Sequence, residues 1–122
     1  MKVARDRQYT DHDEWVKVEG DVLVVGITDY AQDQLGELVH VELPPIGKKV
    51  KAGDVVCEVE SVKAVAEIYA PAQGEVAEVN KALDDAAESI NSDPYGAWIY
   101  KLRVSAPPTG LLDADAYAAS HS

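Results

Sequence analysis

The chain has 122 residues, enough for one domain with one hydrophobic core but not for a deep catalytic cavity. Hydrophobic residues make up 47% of it and charged residues 27%, a balance that excludes a disordered chain. Eleven Lys and Arg against 22 Asp and Glu leave −11 at pH 7, which argues against nucleic acid and anionic lipid and for a basic patch on a partner protein, unless the charge serves only solubility.

From the N-terminus, Met1-Lys2-Val3-Ala4-Arg5 has no apolar run behind its charges, so no secretory signal is expected. No stretch reaches the roughly 18 apolar residues that cross a bilayer. Short β-branched runs predict strands over 15–18 and 22–27, with Gly20-Asp21 turning between them. A helix is expected over Asp29–Leu35, with Thr28 as N-cap and Gly36 as its stop. Strands follow over 39–43 and 55–60. The second holds Val55-Val56-Cys57, where the single cysteine packs as a small hydrophobe. One thiol permits no internal disulfide and points to a reducing compartment. Further strands are expected over 65–69, 75–79 and 98–104, with Gly47, Gly53-Asp54 and Gly74 as punctuation. A short, weak helix is expected over 82–90. Ser105-Ala106-Pro107-Pro108-Thr109-Gly110 reads as a linker. The Ala-rich stretch 112–119 reads as a helix, with Asp113 and Asp115 near its start, where the helix dipole favours acids. Many short strands at close spacing argue for a sandwich or a small barrel.

The expected strands 55–60 and 75–79 are alike and stand either side of 65–69. At the centre of this region lies Glu60-Ser61-Val62-Lys63-Ala64-Val65. A lysine between two strands, with small neighbours, is well placed to project from a hairpin. An ordinary solvated lysine is the plainer reading, and the commoner one for an arbitrary lysine.

Val59-Glu60-Ser61-Val62-Lys63-Ala64-Val65 resembles the lipoylation motif of the H proteins of the glycine cleavage system. Upstream, Val25-Gly26-Ile27-Thr28-Asp29-Tyr30-Ala31-Gln32 and Leu35-Gly36-Glu37-Leu38-Val39 resemble that family's first helix and its flanks, followed in order by Val41-Glu42-Leu43-Pro44 and Gly47. Downstream come Tyr69-Ala70-Pro71, Gly74-Glu75-Val76, Asn80, Asn91-Ser92-Asp93-Pro94-Tyr95-Gly96 and Leu111-Leu112-Asp113-Ala114-Asp115-Ala116-Tyr117. The match is long and collinear, over about residues 9 to 119, unlike a short motif hit.

The resemblance implies a mostly β fold, a barrel-sandwich hybrid of the lipoyl- and biotinyl-carrier kind. It would have two antiparallel sheets, short peripheral helices and Lys63 at a hairpin tip. One lipoyl-carrier domain would span 1–122, with a core over about 9–104 and a C-terminal helix over about 111–119. The implied cofactor is lipoate, joined by an amide to Lys63, with Glu60, Ser61, Val62 and Ala64 as the rest of the attachment site. The implied role is a carrier, not an enzyme, with neither catalytic residues nor a metal. In the family, glycine decarboxylase loads an aminomethyl group onto the arm, and aminomethyltransferase takes its one-carbon unit. Dihydrolipoyl dehydrogenase reoxidises the dithiol, whose strained disulfide form is readily attacked. Lipoate-attaching enzymes complete the expected partners, and the expected state is a monomer in the bacterial cytoplasm.

A sulfur-bound aminomethyl group breaks down when its nitrogen loses a proton, so carboxylates beside it would protect it. In the family an acid in the early strand and another four residues after the lipoyl lysine line a cleft for the arm. Here those positions are Glu14 and Glu67, with Trp15 as an apolar floor. Even spacing keeps Lys63 and Glu67 on one strand face. For both acids a solvated surface carboxylate is the plainer reading.

The sequence departs from the family pattern at three places. Asp13-Glu14-Trp15 stands where His-Glu-Trp is usual, with His12 one place earlier. Ala97 leads straight from Gly96 to Trp98, without the extra residue common there. Pro107-Pro108 replaces a longer, partly helical segment. An H-like lipoate carrier of another pathway, such as heterodisulfide-reductase-like sulfur oxidation, would need the same Lys63. Biotinyl domains typically flank their lysine with methionines, and the lone methionine here is Met1. Lipoyl domains of 2-oxoacid complexes typically place Asp before the lysine, where this chain has Val62. An independent enzyme is the weakest case: His12, His40 and His121 are scattered, and neither a phosphate loop nor metal-ligand spacing is visible.

Overall fold

The computed structural model describes residues 1–121. In chain order the elements are β1 (Gln8–Tyr9), β2 (Glu14–Glu19), β3 (Val22–Ile27), α1 (Asp29–Leu35), β4 (Leu38–Glu42), β5 (Lys49–Val50), β6 (Val55–Ser61), β7 (Val65–Tyr69) and β8 (Gly74–Val79). After β8 come a 3-10 turn (Lys81–Asp84), α2 (Ser89–Ser92), β9 (Tyr100–Arg103) and α3 (Ala114–Ser120). The strands form two sheets. One has six strands in the order β1-β2-β3-β9-β8-β5, the other three in the order β4-β6-β7. Every strand pair is antiparallel, so the expected fold class holds.

Alternation along the strands decides which side chains meet. In β2, Val16 faces the space between the sheets while Trp15 faces outward. Val16, Val25 and Leu23 of the large sheet pack with Val41, Val56, Cys57, Val59 and Ile68 of the small one, forming the main core. Cys57 is buried there as a small hydrophobe, and burial pushes its thiol up to about 12. A second cluster lies on the outer face of the large sheet, where Tyr9, Trp15 and Val24 are covered by Ala114 and Tyr117 of α3. The rings of Tyr9 and Tyr117 stack with centroids 4.6 Å apart.

The first and last α-helices fall close to expectation. Thr28 caps α1 through the Ala31 N–H, and Asp113 caps α3 through the Ala116 N–H. The helix expected over 82–90 does not form as one unit. Its apolar residues are buried, with Leu83 in the 3-10 turn and Ile90 in α2, but neither start is capped by a side chain. Asn80, the residue placed to cap the first, instead donates its amide to the Trp98 carbonyl at 2.8 Å. The pairs β1–β2 and β5–β8 were not expected, because two-residue strands show no alternation. The strand expected over 98–104 is regular only over Tyr100–Arg103.

Candidate functional site

Strands β6 and β7 form a hairpin whose last paired residues are Glu60 and Val65. The turn beyond them holds Lys63. Ser61 fixes the turn from inside: its hydroxyl is buried and accepts from the N–H groups of Lys63 at 3.2 Å and Ala64 at 3.0 Å. The Ser61 N–H donates to the Ala64 carbonyl at 2.8 Å. A serine oxygen therefore does what a glycine turn would otherwise do. The Val62 N–H donates to the Glu37 carbonyl at 3.1 Å, which ties the turn to the segment after α1. Lys63 is exposed, and among the described residues its ammonium has no hydrogen bond or ion pair. Glu60 is exposed on the same tip.

The segment that receives the turn is itself pinned. α1 ends at Gly36, with φ 80° and ψ −157°, a conformation open essentially to glycine alone. The stem of Lys63 runs past this glycine, so that a Cβ there would lie 3.6 Å from the Lys63 Cε. Asn91 of α2 holds the segment on both sides. Its amide donates to the Gly36 carbonyl and to Gln32 Oε1, each at 2.9 Å, and its oxygen accepts the Leu38 N–H at 2.8 Å. Thus α1, α2 and the start of β4 brace the turn that carries Lys63.

The two acids expected beside the arm lie on either side of Tyr69. Glu67 is exposed on the outer face of β7 and accepts from the Tyr69 hydroxyl at 3.1 Å. Glu14 is neither solvated nor lining an open cleft: it is 1% exposed. One carboxyl oxygen accepts from Thr10 Oγ1 at 2.9 Å, the other from the Tyr69 N–H at 2.6 Å. Burial, opposed in part by these two bonds, pushes Glu14 up to about 7, and Asp11 and Asp13 add to the rise. The His12 ring lies tilted against the Tyr69 ring, with centroids 4.3 Å apart.

Trp15 corrects the expectation of an apolar floor. It follows Glu14 in the strand, so its ring lies on the opposite face, 1% exposed. There its Nε1 donates to the Pro94 carbonyl at 2.9 Å, and the Arg7 guanidinium lies 4.5 Å from the ring centroid. The ring also explains Gly26 opposite it, since a Cβ there would come within 2.5 Å of the indole.

A sequence model of the family described as "Glycine cleavage H-protein" matches residues 7–121. The chain belongs to the glycine cleavage H-protein family. Its role is accordingly that of the lipoyl carrier in the glycine cleavage system. The probable glycine cleavage system H protein of Pyrococcus horikoshii is 54% identical, covering 96% of this chain and 90% of the relative. The glycine cleavage system H protein of Burkholderia cenocepacia strain HI2424 is 51% identical, covering 95% and 94%. The crystal structure of a glycine cleavage system H protein from Mycobacterium marinum superposes with a TM-score of 0.91, at 41% identity and 98% coverage of both chains. Among the described residues no helix is long and apolar enough to cross a membrane.

With the family shown, one departure from its pattern has a structural reason. Asp13 adopts φ 65°, and its carboxylate accepts from the Tyr117 hydroxyl at 2.9 Å and from His121 Nε2 at 2.8 Å. It fastens the end of α3 to the loop that leads into Glu14. Nothing in the structure explains Ala97 or Pro107-Pro108 in these terms. Asn91 and Tyr69 are site residues that the sequence reading did not assign a role. Asn91 lay within a quoted motif, but its partners are 53 to 59 positions away.

Proposed function

We propose that this carrier bears its lipoyl group as an amide on Lys63 and presents it from a braced hairpin tip. The observation that carries the reading is the turn itself: an exposed lysine with no partner among the described residues, on a backbone held by Ser61 and by the Glu37 carbonyl. The residues fit the group. Gly36 and Ala64 leave room beside the stem, and among the described residues the amine has no ion pair to give up. When bound, lipoate supplies a strained disulfide that accepts an aminomethyl group and is restored by oxidation. The chain's own contribution is position and local concentration, which makes it a carrier and not an enzyme. In this reading one domain spans 1–122, with its core over about 9–104.

Glycine decarboxylase, aminomethyltransferase, dihydrolipoyl dehydrogenase and a lipoate-attaching enzyme are the proposed partners of a monomeric carrier. Val39, Val62 and Val65, exposed by 52%, 66% and 58%, surround the tip and suit an apolar contact with each enzyme in turn. Glu60 contributes recognition by the attaching enzyme, since it faces solvent at the tip. Glu67, exposed beside Tyr69, favours the protonated state of an amine resting there, and Glu14 on the other side of Tyr69 adds to this where it is ionised. A cytoplasmic setting belongs to this reading, in an archaeon or a bacterium, since both kinds of organism supply relatives. The sulfur-oxidation alternative loses one of its supports, because Asp13 has its own bonds to α3.

Intact mass tests the attachment. Protein treated with lipoate, ATP and a ligase should gain one lipoyl group, absent in Lys63→Ala. An equal gain in that variant overturns the assignment.

A further inference from the structure

The end of α3 meets the loop before β2 through one imidazole. The His121 ring packs against Tyr117 of α3, with centroids 4.3 Å apart, and against Tyr30 of α1 at 4.4 Å. Its Nε2 lies 2.8 Å from Asp13 Oδ1. Its Nδ1 lies 2.9 Å from the Tyr117 carbonyl and 2.8 Å from Ser120 Oγ. A carboxylate and a carbonyl have no proton to give, so a ring that bonds both must carry a proton on each nitrogen. The Ser120 hydroxyl donates to the same Tyr117 carbonyl at 2.8 Å. A neutral ring that keeps its proton on Nε2 turns a bare Nδ1 toward that carbonyl. Ser120 can then answer Nδ1 only by leaving the carbonyl, so loss of the proton costs the end of α3 a bond.

The side chains of His121 and Asp13 are 16% and 28% exposed, so solvent screens the pair only in part. Asp13 Oδ1 also accepts the Tyr117 hydroxyl at 2.9 Å. Because a carboxylate only accepts, Tyr117 donates there and takes the Thr28 hydroxyl proton at 2.7 Å. Thr28 in turn caps α1 through the Ala31 N–H. Burial raises the Tyr117 hydroxyl, so it keeps its proton. Among the described residues bonded to the His121 ring or packed on it, Asp13 is the one carboxylate, the others being Tyr30, Tyr117 and Ser120. A cation at the C-terminal end of a helix is further favoured by the helix dipole. We propose that His121 is a proton-operated latch: protonated, it fastens the end of α3 to Asp13 and so to the loop that leads into Glu14, and neutral, it loosens that hold. Histidine side chains ordinarily change charge between about pH 5 and 8. A bond complete only in the protonated form contributes at low pH and is lost as pH rises through that range.

The test follows amide hydrogen exchange in the full chain at about pH 5.5 and about pH 8.5, corrected for the intrinsic effect of pH. The reporters are the Tyr117 N–H, bonded to the Asp113 carbonyl, and the Thr28 N–H, bonded to the Asp13 carbonyl. His121→Gln keeps a donor for Asp13 but takes up no proton. Protection of both amides should fall roughly two- to fivefold further with pH in wild type than in His121→Gln, the size of one partly screened charged bond. Glu14, His12 and His40 are common to both proteins, so the difference belongs to His121. Asp13→Asn should flatten the response to the level of His121→Gln. Equal responses in wild type and His121→Gln, or a response of wild-type size in Asp13→Asn, overturn the proposal. Wild type alone gives a second measurement. At pH 5.5 the protons on both ring nitrogens of His121 should exchange slowly enough to be seen by NMR, unlike those of His12 and His40. Ring protons of His121 that exchange as freely as theirs overturn the latch without any variant.

Discussion

Glu14 concentrates the tension between fold and function in one side chain. Its carboxyl is buried and raised from 4.5 to about 7. The unfolded chain keeps the ordinary value, so protonated Glu14 favours the fold. That contribution is complete below pH 4.5 and is lost as pH rises through 7, for a total of about 3 kcal/mol. Glu14→Gln should remove this part of the pH dependence. Denaturant titrations of both proteins between pH 4.5 and 8 should diverge, with the variant losing less stability, and parallel curves would contradict the burial. At the hairpin, Ser61→Ala leaves two turn N–H groups without their acceptor and should cost about 1–2 kcal/mol while slowing lipoylation. Glu60→Ala should stay within about 0.5 kcal/mol of wild type and still slow lipoylation, since its exposed side chain has no hydrogen bond or ion pair among the described residues. A large loss of stability with an unchanged lipoylation rate would reverse the reading of Glu60.

Among the elements, the brace of α1, α2 and the start of β4 decides how well the tip is held. Asn91→Ala removes three hydrogen bonds and should cost about 2 kcal/mol. It should also raise the KM of the attaching enzyme for this chain, because the Glu37 carbonyl that anchors Val62 is no longer fixed. If KM stays level in a variant that is clearly destabilised, the brace serves the fold alone. Helix α1 was legible because its signals are adjacent: Thr28 before it and Gly36 after it. The stretch 82–90 was not, because the residue that could cap it is engaged by Trp98, 18 positions away. Likewise Lys63 could be read from its immediate neighbours, whereas the burial of Glu14 depends on Tyr69, 55 positions away. Trp15 cannot floor the arm because it follows Glu14 in β2 and faces the other way. The expected shared face of Lys63 and Glu67 does not form, since Lys63 sits in the turn ahead of β7.

At the scale of the molecule, charge and presentation come together. Glu42, Glu58 and Glu67 stand directly opposite one another across β4, β6 and β7, in a chain of net charge −11. Like charges directly opposite in a sheet destabilise it. Added salt from 0.01 to 0.3 M should therefore raise the melting temperature, and Glu58→Gln should raise it at low salt and lessen the response. The same acidity should make association with basic faces of the partner enzymes slower as salt increases. Carriage itself is tested most directly by exchange of labelled bicarbonate into glycine, using purified glycine decarboxylase and the lipoylated chain. Label should enter glycine with the wild-type carrier and fall to background with Lys63→Ala. Equal exchange with Lys63→Ala, or none with fully lipoylated wild type beside an active decarboxylase, would contradict the account.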